Sequence, residues 1–263
     1  MSEMVDCAST IVSTTFLVYS SWSDLKTREV SNRVWLVFAP IAAIITLFRV
    51  LLLPNLLLSS VISVCLTVLL SLVLFYAGFF GGADAKALIC IGLANPTPPQ
   101  LGNFPISSSL PFFPVIVLYN SFFVAVLTVI YALSRNIAWW KRKGHLFRGL
   151  EHERFWTKLF ALATGYKTDF SELQHKIFLY PLEEAYEEGS SIKRRFRIFV
   201  GAEVERDVLV ERLTPYVEAG SVPSCIWVTP ALPMLVFVTI SFLLTSTFGD
   251  IAFWVILQFF KHL

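Results

Sequence analysis

The sequence predicts an all-α membrane fold with about six transmembrane helices and a small cytoplasmic α+β insertion between the last two. Apolar residues make up 56% of the 263 residues, and the mean hydropathy of +0.67 exceeds that of ordinary soluble domains. Only twelve acidic or basic residues lie outside residues 135–228. We therefore expect a membrane domain at 1–134, a soluble domain at 135–228 and a final transmembrane helix at 229–263.

Six apolar segments account for the predicted helices. A transmembrane helix takes about 20 apolar residues, and four segments reach that length: 34–53, 57–80, 111–133 and 231–257. Residues 8–22 are shorter and need neighbouring turns to cross a bilayer. Residues 85–95 form a short helix that begins at Asp84. The acidic residues before position 8 argue against a cleaved signal peptide.

Loop charge sets the orientation, because cytoplasmic loops are enriched in Lys and Arg. The loops at 23–33 and 81–86 and the segment after 134 carry basic residues, whereas 53–56 and 95–114 carry no charge. This alternation predicts a multi-pass protein of the cytoplasmic membrane with both termini outside. The soluble domain then lies in the cytoplasm. Its patterns predict helices at 151–163 and 204–219 and strands at 176–182, 194–200 and 225–228.

Two aspartates lie in compact polar motifs at the predicted cytoplasmic ends of apolar segments. Asp24 begins the run Asp-Leu-Lys-Thr-Arg-Glu-Val-Ser-Asn, and Asp84 follows Gly81, Gly82 and Ala83. Carboxylates near membrane depth are costly and usually mark function. Small residues before Asp84 allow close approach of a backbone, and Asp84 also suits the start of a helix.

A pair of carboxylates is the chemistry of aspartic proteolysis. Like charges at short range do not both ionise easily, so the two groups share a proton. One carboxylate then activates water as a base, and the other protonates the leaving amine as an acid. Neither step needs a metal or an organic cofactor.

The two motifs resemble those of the archaeal preflagellin peptidases and, more widely, the type IV prepilin peptidases. Both groups are membrane aspartic endopeptidases with a G-x-G-D-like second motif, in which Ala83 here replaces the second glycine. The resemblance implies that Asp24 and Asp84 are the catalytic pair. It also implies that the protein removes short basic leaders from archaellin or type IV pilin-like precursors at the cytoplasmic face of the membrane.

The resemblance also concerns a second activity. Bacterial bifunctional relatives methylate their product and carry a CxxC-containing cytoplasmic region. This chain has cysteines only at 7, 65, 90 and 225, so we expect no methyltransferase activity.

Further residues are candidates for supporting roles. Lys26 and Lys86 each follow an aspartate by two positions and either tune its charge or serve membrane orientation. An acidic run in the soluble domain is either a solvated surface or a docking site for a basic leader: Glu183, Glu184, Glu187 and Glu188. Asp250, in the last helix, would lie on the opposite membrane side from the aspartate pair.

Two other functions are also compatible with the sequence. A presenilin-like protease is suggested by Pro230-Ala231-Leu232, but the first motif differs from Tyr-Asp. A proton-coupled transporter also uses intramembrane acids, but no paired internal halves are evident. The four histidines lack metal-ligand spacing, and the net charge of +2 gives no indication of nucleic-acid binding.

Overall fold

The computed structural model describes residues 1–99, 106, 110–188, 191–197, 206–231 and 233–261. The chain forms two compact units. The helical unit comprises Met1–Ala125 and Pro233–Leu263, and the mixed unit comprises Val126–Leu232.

Ten α-helices and five strands occur in the described residues. The helices are α1 (Ser2–Thr27), α2 (Asn32–Leu52), α3 (Leu57–Tyr76), α4 (Gly82–Ala94), α5 (Phe113–Lys143), α6 (Phe155–Thr164), α7 (Phe170–His175), α8 (Arg206–Glu218), α9 (Met234–Phe248) and α10 (Ile251–Lys261). The strands are β1 (Tyr166–Asp169), β2 (Leu179–Pro181), β3 (Glu183–Glu188), β4 (Ser191–Phe196) and β5 (Cys225–Pro230).

The predominance of helices agrees with the predicted fold class, but six spans are not established. In the described part of the chain, three helical segments are long and apolar enough to cross a membrane: Asn32–Leu52, Pro54–Tyr76 and Phe113–Lys143. α1 is long enough, at about 39 Å for 26 residues, but it carries acidic residues near both ends. α4, α9 and α10 are shorter.

The prediction of a single last helix at 231–257 is wrong, because the helical segment is interrupted between α9 and α10. Gly249 has a φ of 91°, and a Cβ there would lie 2.2 Å from the Ile106 carbonyl oxygen. Asp250 then caps α10 by accepting the Phe253 N–H at 3.1 Å. Its other carboxylate oxygen accepts the Tyr119 hydroxyl. Asp250 is therefore a buried helix cap.

The mixed unit has the small α+β character expected of the insertion. β5 lies between β1 and β2 in an antiparallel sheet, and β3 and β4 form a separate antiparallel hairpin. Two apolar clusters support these sheets. One contains Tyr166, Leu173 and Ile226, and the other includes Leu150, Ala161 and Trp227.

α3 and α4 approach each other closely because small residues line their contact. The buried positions of α3 are all small hydroxyl residues: Ser60, Ser63, Thr67 and Ser71. Opposite them, a Cβ on Gly92 of α4 would lie 2.9 Å from the Thr67 methyl group. Small residues of this kind are typical of helix packing in membranes.

The end of α4 lies inside the helical unit, and neighbouring helices satisfy its free carbonyls. A helix leaves its last carbonyl groups without backbone partners, and in lipid each unsatisfied group costs several kcal/mol. Ser9 on α1 donates to the Ala94 carbonyl at 2.7 Å, and Thr46 on α2 donates to that of Leu93. Ser63 on α3 donates to the Pro96 carbonyl at 2.6 Å.

A buried ion pair completes this network. Arg49 Nε lies 2.9 Å from Asp6 Oδ1, and both side chains are 3% or less exposed. The Arg49 guanidinium also donates to the carbonyls of Thr97 and Pro98 at 3.3 and 3.2 Å. One arginine therefore ties α1 and α2 to the chain that follows α4.

We predict that Arg49→Met lowers the free energy of unfolding by about 3–5 kcal/mol, because it removes the guanidinium that pairs with the buried Asp6 carboxyl group. Thermal unfolding in detergent measures the change. Asp6→Leu/Arg49→Met should recover part of the loss. Arg33→Met, at an exposed site on α2, is the matched control and should change stability by about 0.5 kcal/mol or less. Equal stability of R49M and R33M would contradict a structural role for the pair.

Candidate active site

Asp24 lies in the last turn of α1, where its side chain is partly buried. α1 ends at Thr27 and is capped by Arg28, whose φ of 58° is left-handed and whose N–H donates to the Asp24 carbonyl at 2.9 Å. The charge of Arg28 also acts on the Asp24 carboxylate. The hydroxyls of Ser23 and Thr27 bind the Glu29 carbonyl and fold the chain back toward α2. Asp24 is thus held at a defined helix end.

Asp84 lies in the first turn of α4, at the position where an acidic side chain reaches back to cap a helix. Its Oδ2 accepts the Gly81 N–H at 2.9 Å. A Cβ on Gly81 would lie 3.1 Å from that oxygen, so glycine keeps the approach open. The carboxylate also lies at the positive end of the α4 dipole.

The first turn of α9 lies beside the same carboxylate. The Leu235 N–H, in the first turn of α9, donates to Asp84. Such N–H groups have no partner within their own helix. Asp84 therefore accepts backbone donors from the starts of both α4 and α9.

Hydroxyl groups join α9 to α1 near Asp24. Ser21 and Thr239 are hydrogen-bonded at 2.7 Å, oxygen to oxygen, and either hydroxyl can be the donor. Both oxygens also lie within hydrogen-bond distance of the Leu235 carbonyl, at 3.1 and 2.8 Å, so the hydroxyl that does not donate to the other donates there. Thr239 also approaches the Leu17 carbonyl at 3.3 Å. The polar contacts fix the beginning of α9 against the turn of α1 that precedes Asp24.

The two aspartates of the sequence motifs come together in the helical unit. α1, α4 and α9 pack against one another, and Asp24 and Asp84 are close enough for their charges to interact. Sequence reasoning identified both aspartates but missed Leu235, Ser21 and Thr239. The prolines before α9 indicate where that helix starts, but no sequence pattern indicates that its first turn lies beside Asp84.

The motif-supporting residues have separate positions. Lys86 Nζ donates to the Asn32 side-chain oxygen at 2.7 Å, which links α4 to the start of α2. Lys26 lies over the Trp22 ring at 5.1 Å. Gly82 and Ala83 open α4 and are partly buried. Both lysines thus contact other helix-end residues.

The acidic run is not the free anionic surface that the sequence suggested. Glu183 is 1% exposed and pairs with Arg194 at 3.1 Å, and burial raises its pKa. Glu183 is therefore a structural residue of the mixed unit, and its prediction as a docking residue for a basic leader is wrong. Glu184 pairs with Arg195 and Arg197.

Glu187 and Glu188 are the other two acids of the run. Glu187 is exposed on β3, whereas the side chain of Glu188 lies outside the described part of the chain. Over the described residues, no three His, Cys, Asp or Glu side chains are grouped as metal ligands.

Comparisons with known proteins give matches to both parts of the chain. The profile of the type IV leader peptidase family matches residues 11–129, which include both aspartates. That of the archaeal peptidase A24 C-terminus, type II, matches residues 157–251. Preflagellin peptidases align over nearly their whole length. The one from Methanococcus voltae is 24% identical over 89% of this chain and 92% of its own. The one from Methanocaldococcus jannaschii is 24% identical over 91% and 93%.

The two profiles together span most of the chain, and they cover the helices that hold Asp24 and Asp84 as well as α9, which donates to Asp84. The protein therefore belongs to the type IV leader peptidase family and shares its C-terminal part with the archaeal members.

Proposed function

We propose that this protein is a membrane aspartic endopeptidase that removes basic leader peptides from archaellin or type IV pilin-like precursors. The observation that carries the proposal is the meeting of Asp24 and Asp84, which come from motifs sixty residues apart, at the shared start of α4 and α9. The family membership and the preflagellin peptidase relatives support leader cleavage as the reaction.

The reaction assigned to this pair is hydrolysis of one peptide bond. One carboxylate takes a proton from water, and the oxygen of that water bonds to the scissile carbonyl carbon. The other carboxyl group gives its proton to the leaving nitrogen as the carbon–nitrogen bond breaks. The N–H groups of Gly81 and Leu235 hold Asp84 in one orientation through both steps.

The cytoplasmic membrane face is the proposed location of the site. Basic residues follow both aspartates closely, at Lys26, Arg28 and Lys86, as expected for cytoplasmic helix ends. The substrate in this proposal has a basic leader followed by an apolar helix. We propose cleavage without methylation, because the chain has no CxxC pair.

Leader docking is proposed for the exposed acids of β3. Glu187 is exposed and Glu184 is partly so, and opposite charge attracts a basic leader over a Debye length of about 8 Å. The opposing Arg195 already pairs with Glu184, so the attraction is modest. Glu188 stays a candidate on sequence grounds.

Asp24→Asn and Asp84→Asn should each lower the rate of leader cleavage by about 10²- to 10⁴-fold, because each removes one acid–base group. The measurement uses purified protein and a precursor, with product mass determined over time. Asp250→Asn is the matched control. Asparagine also caps a helix, so D250N should cleave at nearly the parent rate. Normal turnover by D24N or D84N would exclude the aspartic mechanism.

Glu184→Gln/Glu187→Gln should raise the KM for a basic-leader precursor about two- to fivefold at low salt, because exposed charge pairs contribute about 0.2–1 kcal/mol each. The effect should shrink as salt increases. Glu211→Gln, exposed on α8, is the control and should leave the KM unchanged. Equal KM values for the double variant and the parent at low salt would place leader recognition elsewhere.

A further inference from the structure

We propose that α6 is an interfacial helix that inserts its outer apolar face into an anionic bilayer surface. The proposal concerns the mixed unit alone and stands apart from the catalytic assignment of Asp24 and Asp84.

The outer face of α6 is apolar where a helix of a soluble domain is polar. Phe155 and Trp156 are 71% and 75% exposed, and Leu159 and Phe160 are 45% and 42% exposed. Their spacing puts all four on one side of the helix. Ala161, on the opposite side, is fully buried in a cluster with Leu150 and Trp227. α6 therefore covers the protein core with one face and leaves a large aromatic face uncovered.

The end of α6 contacts α5 just after the apolar part of the α5 sequence. The side chain of Asn136 on α5 donates to the Gly165 carbonyl at 2.8 Å and to that of Leu162 at 3.3 Å. These carbonyls belong to the end of α6. Arg135 lies over the Tyr166 ring at 4.6 Å. Within the mixed unit, α5 is uncharged up to Ser134 and Arg135 is its first charged residue, so these contacts fall where α5 stops being apolar enough for a bilayer core.

The same edge carries residues typical of a membrane interface. Trp139 and Trp140 follow on α5, and Trp140 is 57% exposed. Trp residues concentrate at this depth in membrane proteins. Lys143 lies over the Trp139 ring at 4.5 Å, which leaves its ammonium group at the end of α5. Trp140 of α5 lines the same cavity as Lys158 of α6, so this end of α5 lies near α6 in the mixed unit.

Charge complementarity identifies the occupant as an anionic lipid surface. Residues 135–158 contain seven basic and two acidic residues. A cavity of about 750 Å³ lies between α5 and α6, and Trp140, Arg148 and Lys158 line it together with Glu151. Lys158 Nζ donates to the Glu151 carbonyl at 2.7 Å. Basic residues beside an apolar helix face are the pattern by which amphipathic helices bind anionic membranes.

Nitroxide labels on the full chain in nanodiscs test the proposal. The four native cysteines are first replaced, and circular dichroism and the thermal midpoint must match those of the parent. Trp156→Cys and Phe160→Cys carry the label on α6. Glu211→Cys, on exposed α8, is the matched control. Power saturation compares collision with oxygen, which dissolves in the bilayer, and with a water-soluble nickel chelate.

Labels at 156 and 160 should collide mainly with oxygen and the label at 211 mainly with the nickel chelate. The two α6 labels, at 156 and 160, should lie deeper in discs containing phosphatidylglycerol than in discs of phosphatidylcholine alone. Three results would overturn the proposal. The α6 labels could behave as the label at 211. They could be shielded from both reagents, which indicates a protein partner or a second copy. They could show equal depth in both lipids, which removes the anionic surface as the partner.

Discussion

The short helix α4 depends on having the backbone groups at both of its ends satisfied inside the helical unit. Its first turn is capped by Asp84, which accepts the Gly81 N–H. Its last carbonyls receive hydroxyl groups from Ser9 and Thr46, on two different helices. Without these donors, a thirteen-residue helix ending among apolar segments would leave carbonyls unpaired at a cost of several kcal/mol each. The same contacts fix where Asp84 lies.

The candidate site follows from this constraint. The first turn of α9 lies beside Asp84 and donates the Leu235 N–H to it. The Ser21–Thr239 contact fixes the beginning of α9 against α1. Two helix N-termini thus converge on one carboxylate, and the third helix supplies Asp24. Positive helix ends favour a carboxylate, while the charge of Asp24 opposes it. Neighbouring carboxyl groups whose charges repel in this way do not both ionise easily.

The sequence alone predicted the helical fold class, the short helix after Asp84 and both aspartates, because apolar length and polar motifs are local signals. It missed what depends on tertiary partners. The break occurs at Gly249, which has a positive φ and packs closely against Ile106, and hydropathy does not register either feature. Glu183 belongs to a run that looks like an acidic surface, but it lies buried at the start of β3, where it accepts the Trp227 N–H and pairs with Arg194.

The central claim is that Asp24 and Asp84 form one site, and intramolecular cross-linking tests it most directly. Asp24→Cys/Asp84→Cys, in a chain without other cysteines, is treated in membranes with a short bifunctional thiol reagent and analysed by intact mass. The fifteen residues of α9 separate Asp250 from Asp84 by about 22 Å, so Asp84→Cys/Asp250→Cys is the control. The account predicts a cross-linked product for the 24/84 pair alone. Failure of that pair to cross-link while both cysteines react singly would contradict it.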